Sequence, residues 1–226
     1  MAVTTYSHQI LDRAALQDAA VRVAAPLIQD CILDDADLTE LDLSNWTFER
    51  CSFREVDCRS TAFRGARLTS CRMPFAKLAG ADLREARIEG SDLNNTVLRG
   101  ALLTDATFAR CKLTGADLSE SSNLGARFDE VLLINAKLPR FSFRKLNLHR
   151  LDFSSADLRD CDFRDATFDE CSLRDANLAG ARFTGADLRG ADLGGLRLID
   201  ASRFRGATIS RAQAGQLLGE LGLSVR

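Results

Sequence analysis

The sequence predicts an all-β solenoid, a four-sided parallel β-helix closed at its C-terminal end by an α-helix. Three observations predict it. An apolar residue recurs every five positions from Leu33 to Leu198, a small residue stands two places before most of them, and a helical pattern follows where the repeat stops.

The five-residue step runs from Leu33 through Leu38, Leu43, Phe48, Phe53 and Cys58 to Leu118, passes Asn123, and resumes from Phe128 to Leu198. Of these 34 positions, 33 are apolar. A period of five fits neither an α-helix nor a two-faced strand. Two apolar positions separated by two can share one side of a short extended segment. The chain must then turn a corner and repeat the pattern on the next side. Four sides close a coil, which makes the larger period 20 residues, and parallel pairing stacks the coils about 4.8 Å apart. The large side chain fills the axis and the small one fits near each corner, so each coil buries its core only against its neighbours.

The small position is filled by residues such as Ala36, Cys51, Ala66, Ala81, Ala116, Ala156 and Ala186, often followed by Asp or Asn, so the unit reads A-(D/N)-(L/F)-x-x. Cys31, Cys51, Cys71, Cys111, Cys161 and Cys171 fall on the small position and Cys58 on the large one. They read as small core residues, not as a disulfide framework. With no CxxC pair and only His8 and His149 as histidines, no zinc site is expected. No cofactor is implied. Carboxylates follow the surface period and no catalytic constellation appears, so an enzyme is not expected. No apolar run reaches the roughly 18–20 residues that span a bilayer. The start, Met1 to Ile10, has no basic or apolar leader. The expectation is a cytoplasmic protein without membrane contact.

The tandem A-(D/N)-L-x-x units resemble the pentapeptide repeat family over about four-fifths of the chain. That resemblance implies a right-handed quadrilateral parallel β-helix with Leu or Phe stacked along the axis. At the strand spacing a rod of roughly 40 Å is expected. The phase slips by one residue between Leu198 and Phe204, then holds to Ile209. Ser210 and Gln213 then form a capping box. Ala214, Leu217, Leu218 and Leu221 make a helical stripe, Gly222 suits the C′ position, and Leu223 to Arg226 could extend as a strand. The expected organisation is an N-terminal cap over 1–27, the β-helix over 28–209 and a dimerising tail over 210–226. The cap is read as a helix across Gln9 to Ala20 or as an extra strand, since Val21, Val23 and Ile28 hint at an earlier start.

The tail, with its A-x-x-L-L-x-x-L-G-L core, is similar to the C-terminus of the Qnr- and MfpA-type pentapeptide repeat proteins. This resemblance implies a homodimer through the C-terminal helix, with Leu217, Leu218, Leu221, Leu223 and Val225 at the interface. It also implies binding to DNA gyrase or topoisomerase IV and protection from quinolones or peptide toxins by partial mimicry of DNA. Direct nucleic-acid binding is not expected. The alternative is a generic pentapeptide repeat scaffold for another protein partner. Some Qnr proteins carry projecting loops, but the phase from Leu33 to Leu198 admits no insertion.

Charge gives mimicry limited support. Duplex DNA carries about one negative charge per 1.7 Å of axis. Residues 31–130 hold 17 acidic and 13 basic groups, and residues 131–209 hold 11 and 13. One side of the coil is the most acidic, with Asp34, Asp35, Glu55, Asp92, Asp152, Asp175 and Asp192 against Arg54, Arg72, Lys112 and Arg174. Arg is expected to pair with Asp across coils. The same side carries outward Ile32, Phe75, Leu132 and Ile134, of which Leu132 and Ile134 are the candidate partner contact. Polar Asn123, together with bulky Phe141, Leu146 and Leu151 at small positions, predicts a bend or hinge between about 121 and 151.

Overall fold

The computed structural model describes residues 5–23, 25–194, 202–219 and 222–224. The chain divides into two compact units, Met1–Leu132 and Leu133–Arg226.

The first unit contains β1 (Thr5–Ser7), α1 (Arg13–Arg22), β2 (Leu27–Gln29), β3 (Thr47–Glu49), β4 (Arg67–Thr69), β5 (Arg87–Glu89), β6 (Thr107–Ala109) and β7 (Arg127–Asp129). The second contains β8 (Asn147–His149), β9 (Thr167–Asp169), β10 (Cys171–Ser172), β11 (Ala191–Asp192) and α2 (Arg211–Gly219). All strand pairing within each unit is parallel. From β2 to β7 each strand pairs with the one 20 residues on. Single-residue bridges such as Ile32↔Ser52, Asp37↔Asp57 and Asp42↔Ala62 stitch the other three sides at the same spacing. The parallel β-solenoid with a helix near its C-terminus is therefore borne out.

Left-handed corners set the step. From Asp30 to Gly185 every fifth residue has positive φ. This is the position two beyond each large core residue, where the chain turns from one side to the next. Gly, Asn and Asp tolerate such a backbone best. The column also uses Glu, Ser, Arg and Lys, and one bulky aromatic residue, Phe75 at φ 61°. At Gly125 and Gly180 a Cβ would run into the Asp105 or Asp160 carboxylate one coil below. Glycine there answers both the dihedral and the close approach.

The axis is filled with buried apolar side chains. The large-position residues from Leu33 to Leu118 are all buried, as are those from Phe128 to Leu193. In the second unit Phe143, Phe163, Phe183 and Phe204 stack in one column, with ring centroids 5.0, 4.9 and 4.7 Å apart. All seven cysteines are free and buried. Cys51, Cys111 and Cys171 each donate S–H to the carbonyl two residues back and to one in the neighbouring coil. Ser91 Oγ does the same in that column, so cysteine serves there as a small core residue with a weak donor. Burial pushes the Cys111 thiol up to about 11 and the Cys161 thiol up to about 12.

Both elements weighed for the first 27 residues occur. β1 pairs with β2 at a spacing of 22, as does Ile10 with Ile32. The two sides that would follow are replaced by α1, which Asp12 caps by accepting the Ala15 N–H. Leu16 and Ala19 are buried beneath the helix, and Arg13 Nη1 donates to the Thr39 carbonyl. At the other end Asp187 pairs with Thr208 at a spacing of 21, which is the one-residue slip read between Leu198 and Phe204. Asn123 is only half buried, and Leu124 beside it is 79% exposed. The polar residue has opened the column, while Phe141 and Leu151 are accommodated and buried.

Candidate interaction surfaces

The outward residue before each large core residue has a structural task. Its side chain and that of the residue two further on project from the same side of the strand. In Asp57-Cys58-Arg59 the carboxylate accepts the Arg59 backbone N–H and two guanidinium N–H groups. The same D-x-R clasp recurs at Asp82 and Arg84, Asp157 and Arg159, Asp162 and Arg164, and Asp187 and Arg189. The arginine fork holds the Asp57, Asp82, Asp157 and Asp162 carboxyls below their ordinary value, and that of Asp187 at about 2. Pairing within one pentapeptide thus accompanies the expected pairing across coils, which joins Arg50 with Asp30, Arg54 with Asp34, Arg144 with Asp165, Arg150 with Glu170, Arg174 with Asp192 and Arg182 with Asp162.

Asp162 joins both kinds of pair. It is 8% exposed and receives Arg164 Nε and Nη2 at 2.8 and 2.7 Å and Arg182 Nη2 at 3.0 Å. Asp162→Asn should cost about 1.5–3 kcal/mol, the range for hydrogen bonds to charged groups. Because the folded-state pKa is depressed, this stabilisation is present above the ordinary value of 3.8 and lost as pH falls through the lower folded value. Denaturant unfolding of both proteins should give a constant gap near neutrality that closes in acid.

The predicted acidic side is distributed over both units. In the first, the ladder Ile32↔Ser52↔Arg72↔Asp92↔Lys112↔Leu132 carries Asp34, Asp35, Glu55 and Asp92 along it. Arg54 lies 3.7, 3.8 and 3.4 Å from Asp34, Asp35 and Glu55, so one guanidinium is shared among three carboxylates and offsets part of their charge. Asp92 accepts the Asn94 N–H. In the second unit, Asp152 accepts from Ser154 and Asp192 pairs with Arg174 at 2.9 Å. Asp175 lies at an exposed corner. Leu132 is 37% exposed in the first unit, and Ile134 is half buried in the second.

A groove at one corner of the first unit belongs to no single side, and a count of charge by side does not register it. Asp35, Asp37, Glu55, Asp57, Phe75 and Lys77 line about 630 Å³. Phe75 is 53% exposed. Its signal in the sequence is a bulky aromatic residue in a column otherwise made of glycine and polar residues. Phe75 thus sets an exposed aromatic ring on a left-handed corner, at φ 61°.

Gln213 joins the C-terminal helix to the last described coil. Gln213 is 7% exposed. Its Nε2 donates to the Leu188 and Ala191 carbonyls at 2.8 and 2.7 Å, and its Oε1 accepts the Ser210 N–H at 2.7 Å. Ser210 Oγ accepts the Gln213 N–H in return, completing the capping box. At the other end Gly222, at φ 74°, donates to the Gly219 carbonyl and Leu223 to that of Leu218, the paired bonds of a Schellman stop. Leu217 is half buried, while Leu218 is 37% and Leu223 54% exposed. Leu221 and Val225 lie outside the described residues. Leu223 and Ser224 are not in a strand. Among the described residues no helix is long and apolar enough to cross a membrane.

A coil of four five-residue sides, with left-handed corners and a hydrogen-bonded clasp on its outer surface, defines a pentapeptide solenoid. The chain belongs to the pentapeptide repeat family: the profile described as Pentapeptide repeats matches residues 31–69, 81–119, 126–165 and 156–195. No curated protein matches the chain. Among solved structures it resembles a trypsin-treated form of QnrB1, a plasmid-mediated fluoroquinolone resistance protein. The match has 20% identity and a TM-score of 0.72, and covers 89% of this chain and 98% of that one. A second trypsin-treated QnrB1 form matches at 18% identity and TM-score 0.68, covering 99% and 98%. HetL, a pentapeptide repeat protein involved in heterocyst differentiation regulation from Nostoc sp. strain PCC 7120, matches at 25% identity and TM-score 0.57, covering 83% and 81%.

Proposed function

We propose that this protein is a non-enzymatic binding protein whose partner is a type II topoisomerase, DNA gyrase or topoisomerase IV, which it protects from quinolones or peptide toxins. The observation that carries the reading is the C-terminal assembly. Gln213 locks α2 onto the last coil while Leu218 and Leu223 stay exposed, which suits pairing of two tails through Leu217, Leu218, Leu221, Leu223 and Val225. The first unit, with 20 acidic and 15 basic residues, supplies the partial imitation of DNA. Its Asp34, Asp35, Glu55 and Asp92 side and the Phe75 groove are the contact surfaces, and Asp152, Asp175 and Asp192 contribute from the second unit. Leu132 and Ile134 form a further contact. The protein acts in the cytoplasm, where such a partner is found.

The partial offset of Asp34, Asp35 and Glu55 by Arg54 favours a second reading, a scaffold for a different protein partner without DNA mimicry. A supercoiling assay separates the two. Titrated into purified gyrase at micromolar concentration, the protein should slow supercoiling alone and restore it in the presence of a quinolone or peptide poison. No effect in either arm removes the topoisomerase reading. Leu218→Asp should convert a dimer into a monomer by light scattering and weaken both effects about tenfold, equivalent to about 1.4 kcal/mol.

A further inference from the structure

Arg67 and Arg87 face each other in register on β4 and β5, one strand spacing apart. Like charges placed directly opposite repel, whereas many arginines of this chain are matched to acids. At least sixteen hold a carboxylate within 4.0 Å. Arg67 and Arg87 are exposed, and no hydrogen bond or ion pair joins either guanidinium to another described residue. Threonines flank the pair along the column, Thr47 before Arg67 and Thr107 after Arg87. Thr69, Ser70 and Gly90 beside it are small. Glu89, the carboxylate next along the strand, is taken by Arg110. The result is two adjacent planar forks, open to solvent, whose neighbouring carboxylates Glu49, Glu85 and Glu89 each lie against another arginine.

We infer that Arg67 and Arg87 form an oxyanion clamp that receives the carboxylate side chains of an acidic segment on a protein partner. Guanidinium forks bind carboxylate oxygens two at a time, and a bound anion relieves the repulsion between them. Nucleic acid is the weaker fit. It binds through many phosphate contacts, whereas this unit carries 20 acidic and 15 basic residues. The outward residues of β3 to β6 include no aromatic side chain on which a base could stack. The clamp is an interaction surface separate from the acidic side and from α2. It does not depend on the topoisomerase reading, because its probe is a peptide.

The test is arginine side-chain NMR on the full chain, following the Nε–Hε signals during titration with a capped Glu-Gly-Glu peptide and, separately, with a short DNA duplex. Arg67→Lys and Arg87→Lys assign the two signals. The expected result is a saturable shift at Arg67 and Arg87 with millimolar affinity. Arg84 and Arg159, already clasped by Asp82 and Asp157, should not move. The double variant Arg67→Lys/Arg87→Lys keeps the charge but loses the forks, and should bind the peptide about tenfold more weakly with unchanged thermal stability. Equal shifts at all exposed arginines, no saturation, or tighter occupation by the duplex than by the peptide would overturn the proposal.

Discussion

Replacing Phe163 with alanine is expected to unfold the second unit well before the first. Phe163 is fully buried, and its ring stacks between Phe143 at 5.0 Å and Phe183 at 4.9 Å, nearly parallel to both. Phe168 and Phe153 approach it from the sides at 5.5 and 6.2 Å. Truncating a buried phenylalanine costs about 3–5 kcal/mol, and each lost aromatic pair adds about 0.5–1.5 kcal/mol beyond burial. Coils stack at a spacing fixed by backbone pairing, so the coils above and below cannot close the cavity without breaking their ladders. Because solenoid stability passes between neighbours, the loss should spread to the Phe143 and Phe183 coils before it reaches the N-terminal ones. Denaturant unfolding followed by hydrogen exchange should show amides near 140–190 losing protection first. Phe163→Leu is the control. Leucine refills most of the volume but loses both stacked ring pairs, so this change should cost about 1–3 kcal/mol, less than the alanine. Equal loss in both variants would mean that the ring itself, and not the volume it fills, carries the stabilisation; a neutral leucine would mean that the ring stack contributes nothing specific.

Most of this architecture is legible in the repeat itself. Period five with a small and a large apolar position defines the coil, the side count and the register, because each residue's environment recurs 20 residues later. The slip before Phe204 and the capping box at Ser210 are legible for the same reason, one as a break in phase and the other as a local hydrogen-bond pattern. Surface pairing is less so. Whether Asp82 meets Arg84 in its own strand or an arginine one coil away depends on side-chain reach, and both spacings place the groups on one side. Counting charge along sides also passes over the Phe75 groove and the Arg67–Arg87 pair. A groove at a corner combines residues of two sides, and an unpaired arginine is recognised only when its neighbours are seen to be engaged elsewhere. The helix α1 is legible as a helix, but its replacement of two sides of a coil is not, because those residues carry no trace of the five-residue phase.

Gln213 should prove the most sensitive residue of the C-terminal end. Its amide donates to two carbonyls of the last coil and accepts from Ser210, so Gln213→Ala removes three bonds and strands two buried acceptors. Unsatisfied buried groups cost about 1–3 kcal/mol each and a lost cap about 1 kcal/mol, enough to release α2 from the coil. Gln213→Glu is more diagnostic. At neutral pH it sets a carboxylate against the Leu188 and Ala191 carbonyls, with no proton to donate. The folded state therefore favours the protonated acid, and the introduced group's folded pKa rises above its unfolded value. A group of that kind binds more protons folded than unfolded, so stability should climb as pH falls through the raised pKa. Asp162 has the opposite dependence, and comparing the two in one acid titration separates the end cap from the D-x-R clasps. If α2 carries the dimer, light scattering of Gln213→Glu should show monomer at neutral pH, with dimer returning in mild acid. A dimer that persists unchanged while α2 loses helical signal would place self-association elsewhere on the molecule.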